Sequence, residues 1–244
     1  MPHVKWKCLK DSMNKKYVAI KKALEVSKKC YDAVKANIKV GVSEQDLYNV
    51  VANTIKKYGA GHCDEFIGDF VCGERTGDIG GDPSDKKMKM GDLFILDLSI
   101  KYDGYWSDTC RTFFLGEPTD EQRKAYDAII RAQYVGKLVA RTGVKACEIK
   151  KVMEDFLTSQ GFGGLMPHHA GHSVGELPFQ EPVFKMDCDT PISKGDVITL
   201  EPGLYFKDKW GMRIENNYIV HEDYLEDIFI YSKKIEDFII KGDK

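Results

Sequence analysis

Apolar positions along this chain alternate between two spacings, and each spacing occurs twice. Residues 15–40 place Val18, Ala19, Ala23, Val26, Cys30, Ala33, Val34 and Ile38 at helical intervals and stop at Gly41, which predicts a long amphipathic helix. The next segment, GVSEQDLYNVVANTIKKYG over 41–59, predicts a second helix. Ser43 and Asp46 have capping-box spacing, Leu47, Val50, Val51 and Ile55 form one apolar face, and Gly59 ends it. A second long amphipathic segment, 119–140, is opened by Thr119 and Glu121-Gln122. It is followed by GVKACEIKKVMEDFLTSQG, 143–161, with Ile149, Val152, Met153, Phe156 and Leu157 as its stripe. After each helix pair the spacing shortens to that of strands. Gly91-Asp92 turns into Leu93-Phe94-Ile95-Leu96 ending on Asp97, and Gly195-Asp196 turns into Val197-Ile198-Thr199-Leu200 ending on Glu201. A further strand follows each run, Asp108 to Leu115 and then Arg213 to Val220.

The matching landmarks sit at 41 and 143 and at 91 and 195, offsets of 102 and 104 residues, so the chain repeats itself in nearly constant register. A period this long does not suit a solenoid. It suits two αα-β halves, about 15–116 and 119–225, packed around a pseudo-twofold axis as an α+β fold. No Pro/Gly/Ser-rich linker divides them, and 244 residues fall within the roughly 250 that one β-rich domain reaches. One domain spanning 1–244 is expected.

The repeat also pairs acids. Asp97 corresponds to Glu201, and the following strands bring Asp108 and Glu215. An acid closing a buried apolar run must be paired, protonated or bound to a cation. Four acids converging from symmetric strands would repel one another without a cation between them. His172 offers a neutral ligand within MPHHAGHSVGELPFQEP, where three histidines fall within five residues beside Gly171 and Gly175. Four carboxylates and one imidazole suit two divalent ions of Mn, Co, Fe or Zn rather than a thiolate-selected metal. Two such ions can hold a bridging hydroxide and polarise a carbonyl.

Composition narrows the setting. With 36 basic and 38 acidic residues, net charge is −2, and no long run of like charge points to nucleic acid or a membrane surface. Seven cysteines without CxxC spacing read as reduced thiols, the N-terminus has no apolar signal region, and no stretch is long enough to span a bilayer. A cytoplasmic setting is expected.

The segments GDLFILDLSIKYDGYWSDTCRTFFLG (91–116), HHAGHSVG (168–175), GDVITLEPGLYF (195–206) and WGMRIENNYIV (210–220) resemble the pita-bread metallopeptidase family. That family includes methionine aminopeptidase, aminopeptidase P, prolidase and the metal-free creatinase. The resemblance covers about 15–225 and is closest to the proline-directed (Xaa-Pro) branch. It implies a curved antiparallel sheet flanked by helices, and a dinuclear hydrolase of aminopeptidase or dipeptidase type. By the same resemblance Asp97 binds one metal, Asp108 and Glu215 bridge, and His172 and Glu201 complete the second site. Glu201 is the implied proton shuttle, His168 matches a substrate-pocket histidine, and Arg213 resembles an arginine near that site or is simply an ion-pair partner for Glu215.

Two departures stand out. A histidine that the proline-directed members carry falls near Gly80 here, and another, seven residues after the metal-binding histidine, is Phe179. Both normally hydrogen-bond substrate or the tetrahedral intermediate, and losing one such donor costs ~10²–10³ in rate. Glu74, Arg75, Asp78 and Asp82, in the glycine-rich GERTGDIGGDP stretch, are candidates to line that rim. A small amide, guanidino or onium substrate, or a non-catalytic binding module, therefore stand as alternatives to a small peptide. Only about fourteen residues precede the first predicted helix, so no separate N-terminal domain is expected, and a homodimer is left open.

Overall fold

The computed structural model describes residues 2–62 and 68–242, and for 2–13 the helical backbone alone. Cys63 and the Cys8 thiol therefore lie outside the described residues. The first half contains α1 (Pro2–Lys35), α2 (Glu44–Lys57), β1 (Phe70–Cys72), a 3₁₀ turn over Gly73–Gly77, β2 (Leu93–Tyr102) and β3 (Tyr105–Leu115). The second contains α3 (Asp120–Val139), α4 (Ala146–Ser159), β4 (His172–Val174), β5 (Gln180–Val183), β6 (Val197–Leu200), β7 (Gly203–Phe206), β8 (Trp210–Arg213), β9 (Asn216–Val220) and β10 (Leu225–Asp227). A short β11 (Ile239–Ile240) then returns to pair in parallel with β3.

The helix ends follow the capping chemistry. Ser43 Oγ accepts from Asp46 N while the Asp46 carboxylate accepts from Ser43 N, and Thr119 and Gln122 close the same box on α3. Leu47, Val51 and Ile55 are fully buried along α2, each such side chain contributing about 1.5–3 kcal/mol of burial free energy. Helix α1 starts well before the predicted residue 15: after Pro2, a favoured first helical residue, no Pro or Gly interrupts residues 3–35. It ends at Lys35, short of Gly41, although Ile38 still packs into the core. The helix lies across β2 and β3, where Tyr31 donates to Thr109 O at 2.8 Å.

Strands β1-β2-β3-β11 form one sheet, β10-β9-β6-β4-β5 a second, and β7-β8 a two-stranded ribbon. Every pairing except β11–β3 is antiparallel. The sheets are joined where Trp106 N donates to Gly175 O at 2.7 Å, and again where Cys110 and Glu215 exchange both backbone hydrogen bonds, at 3.4 and 3.1 Å. Buried Arg111 clamps that junction. Its Nη1 donates to Cys110 O and Glu215 O, both at 2.8 Å, and its Nη2 donates to Asn216 Oδ1 at 2.9 Å.

Two strand expectations need correcting. Asp97 lies in the middle of β2, because the Leu98-to-Tyr102 continuation pairs with Tyr105–Thr109. The predicted Arg213-to-Val220 strand is split into β8 and β9, with Ile214 and Glu215 between them, where the chain leaves the ribbon for the second sheet.

Candidate metal and substrate site

Asp97 and Asp108 come from neighbouring strands. Asp97 opposes Cys110 and Asp108 opposes Ser99, so the two acids sit diagonally on one face. Glu201 follows β6 directly, held by its N–H on Ala170 O at 3.0 Å, and Glu215 sits at the sheet junction. His172 opens β4. Its N–H donates to Thr199 Oγ1 at 3.1 Å, and that hydroxyl lies 3.3 Å from Glu201 Oε1. Gly171, at φ +154°, makes this approach possible, since a Cβ there would lie 2.1 Å from Thr199 O.

Three of the carboxylates close on His172, and Asp97 lies beside Asp108. His172 Nε2 lies 3.5 Å from Glu201 Oε1, 3.6 Å from Asp108 Oδ2 and 3.9 Å from Glu215 Oε1. His172 Nδ1 is 3.0 Å from Ser173 O, a contact that requires the proton on Nδ1 and leaves the Nε2 lone pair facing carboxylate oxygens. Acceptors face acceptors there, an arrangement that a cation or an extra proton must relieve. Asp108 Oδ1 and Glu215 Oε1 are buried without a hydrogen-bond partner among the described residues. Burial and the adjoining Asp97 and Glu201 charges push the Asp108 carboxyl well above its ordinary range. Burial with Asp108 and Glu201 does the same for Glu215. Burial brings Asp97 up to about 6 against the pull of Arg213. Glu201 moves the other way: burial opposes its charge, but the facing His169, His172 and His168 imidazoles hold it at about 2. Hard oxygen donors, one oriented imidazole and orphaned anionic oxygens fit divalent cations. Asp108, His172 and Glu215 form one ligand-like group, and His168, His169 and Glu201 another.

The His168 side chain is buried with its Nδ1 2.6 Å from His169 O, so Nε2 is a free acceptor, and burial lowers its pKa to about 4. The Arg213 guanidinium does not touch Glu215's carboxylate. It donates from Nε and Nη2 to Asp97 Oδ2 at 3.1 and 2.6 Å, from Nη1 to Tyr205 Oη at 2.8 Å, and to Asp69. Phe179, 48% exposed, lies over His172 with ring centroids 4.4 Å apart, and against His169 at 5.2 Å.

The glycine-rich loop departs from its expected role. Arg75 faces away from the site onto Glu44, a buried carboxylate that also accepts from Cys72 N and from Ser84 N and Oγ. Glu74 pairs with Lys86, and Asp78 is exposed. The loop is shaped, as its glycines suggested, but its charges anchor it. Asp82 contributes its backbone carbonyl to Arg75. Gly80 does border the site, where its open face is filled by Asp69.

Sequence reasoning missed Asp69, His169 and the Tyr205 hydroxyl. His169 lay inside the histidine-rich motif, but Asp69 belongs to no motif and Tyr205 reads as packing.

The chain matches metallopeptidase family M24 over residues 18–222. An uncharacterized peptidase of Staphylococcus epidermidis is 31% identical over 216 residues, 88% of this chain and 61% of that protein. Among solved structures, an X-Pro aminopeptidase from Thermotoga maritima superposes with a TM-score of 0.88 at 27% identity, covering 93% of this chain and 63% of that one. Prolidase from Pyrococcus furiosus gives 0.84 at 28%, covering 89% and 64%. The chain thus spans about three fifths of the length of these relatives, and it shares the α+β pita-bread fold with the two solved structures. The match across most of the chain establishes that it belongs to metallopeptidase family M24.

Proposed function

We propose that the chain is one pita-bread domain carrying a dinuclear metallohydrolase site that cleaves a peptide or amide bond, of Xaa-Pro aminopeptidase or dipeptidase type. The observation that carries this reading is the convergence of Asp108, Glu201 and Glu215 on the Nε2 lone pair of His172, with Asp97 beside Asp108 and two carboxylate oxygens left orphaned. Asp97, Asp108, His172, Glu201 and Glu215 would hold the ions, with Mn, Co, Fe and Zn as the fitting metals. Bound there, divalent cations supply an acidified water and a polarised carbonyl.

The chain's own groups supply the rest. Glu201, ionised at neutral pH, takes a proton from the attacking water and returns it to the leaving amine. His168 stays neutral, so its Nε2 accepts a hydrogen bond from a substrate N–H or O–H. Arg213 holds Asp97 in place. Phe179 covers the His172 ring and restricts water on that side.

The test combines elemental analysis with turnover. Purified protein reconstituted with Mn²⁺ or Co²⁺ should hold about two ions per chain and hydrolyse members of a di- and tripeptide library that includes Xaa-Pro. Binding without cleavage of any member would sink the peptidase reading. One observation favours a second reading, a hydrolase of a small amide, guanidino or onium compound: Phe179 and Gly80 stand where the family resemblance places imidazoles. Metal-dependent turnover of such compounds, with none of peptides, would select it. Protein that takes up no metal after reconstitution would instead be a binding module.

A further inference from the structure

Asp69 is a carboxylate that neither the family motifs nor the metal-ligand pattern requires, yet it is built into the site. It lies just ahead of β1, and its backbone carbonyl accepts from Asp97 N at 3.0 Å, which ties the two residues together through the main chain. Asp69 Oδ1 accepts from Gly81 N at 2.9 Å, and Oδ2 accepts from Arg213 Nη2. The carboxylate fills the space beside Gly80: a Cβ there would lie 2.4 Å from Asp69 Oδ1, and Gly80 is at φ +71°. Position 80 thus has no room for a side chain while Asp69 is in place.

The consequence falls on Arg213. A guanidinium facing a carboxylate alone closes a two-point fork, one nitrogen to each oxygen. Here both Nε and Nη2 go to the same oxygen, Asp97 Oδ2, while Nη2 is shared with Asp69 and Nη1 is taken by Tyr205. Asp97 Oδ1 receives no hydrogen bond from Arg213.

We infer that Asp69 is a positioning residue which divides the charge of Arg213 between two carboxylates and so keeps Asp97 Oδ1 available to a divalent cation. This rests on the metal-binding reading above. Neutralising Asp69 acts in one direction through two routes. It removes a negative charge from the neighbourhood of the cation, and it frees Nη2 to close fully on Asp97. Both weaken cation binding.

The test is calorimetric titration of the metal-free full chain with MnCl₂, comparing wild type with Asp69→Asn, beside thermal melts in EDTA. The expected result is a 10–100-fold weaker affinity for one ion in Asp69→Asn, with the other nearly unchanged, the size found when a partner of a metal ligand is lost. A purely structural role would lower the EDTA melting temperature and leave the affinity of the folded protein unmoved, and that result overturns the inference. Gly80→Ala serves if Asp69→Asn does not fold, because its methyl displaces the carboxylate without deleting the charge. Unchanged Mn²⁺ affinity in Gly80→Ala likewise overturns it. Wild type that binds no Mn²⁺ overturns the metal reading and this inference together, whereas two ions bound equally by wild type and Asp69→Asn overturns this inference alone.

Discussion

At the residue scale, the site is defined by which polar atoms have partners and which do not. Glu201 has three imidazoles around it and sits at about 2, whereas the carboxyls of Asp97, Asp108 and Glu215 are raised. Glu201→Gln keeps the shape and removes the base. Turnover on any substrate found should fall on the order of 10²–10⁴-fold, measured as kcat at matched metal content. Phe179 tests the altered substrate shell. Its ring lies 4.4 Å from that of His172 and is half exposed, so Phe179→His puts an imidazole at the mouth with little packing cost. If the chain is a peptidase lacking one donor, kcat/KM for Xaa-Pro peptides should rise by about 10-fold or more. No gain on peptides would favour the small-amide reading. The four acids drew attention because the repeat paired them on patterned strands, although only Glu201 directly follows a strand and Asp97 and Asp108 lie within theirs. Asp69 was not: a single acid outside any motif gains its meaning only from contacts with Arg213 and Gly81, which are 144 and 12 residues away.

At the element scale, the site depends on close backbone approach and on anchors placed away from the chemistry. Gly171 brings the start of β4 against β6, and a methyl there would meet Thr199 O at 2.1 Å. Gly171→Ala should cost roughly 3 kcal/mol or more, read as a lowered denaturation midpoint, and should weaken metal binding by displacing His172. Glu44 is the anchor of the loop over 72–84: buried on α2, it accepts from Cys72, Arg75 and Ser84. Glu44→Ala leaves the buried Cys72 N–H without an acceptor while Arg75 keeps Ser84 and Asp82, so stability should fall by about 1–3 kcal/mol. The helices and their caps were readable from local spacing, since each box closes within four residues. The break of the last long strand into β8 and β9 was not, because it answers to the joining of the two sheets at Cys110 and Glu215.

At the scale of the whole molecule, the buried acids make folding depend on pH. Asp108 and Glu215 titrate in the folded protein well above their unfolded values, so the metal-free fold binds more protons than the unfolded chain. Stability from that source is lost as pH rises. Asp97, at about 6, and His168, at about 4, act in opposite directions below pH 6.5 and partly offset there. Between pH 6.5 and 8, before Lys233 titrates at about 8, the melting temperature in EDTA should therefore fall. Under the proposed function divalent cations would bind the ionised carboxylates, so the gain in melting temperature on adding Mn²⁺ should grow over the same interval. An EDTA melting temperature that rises with pH would contradict the burial of these acids.

The sequence by itself determined the body of the four helices and the main strand runs, though not their ends, because helix faces, caps, Gly-Asp turns and strand runs are local, periodic features. It carried the family as well, through motifs whose spacing survives in a linear chain. Only the tertiary structure decided how charge is shared inside the site: that Arg213 serves Asp97 and Asp69, that Arg75 faces away onto Glu44, and that Asp69 occupies the room beside Gly80. These are pairings between residues far apart in sequence. Their energies depend on distance, burial and competition for the same guanidinium, and no local pattern encodes them.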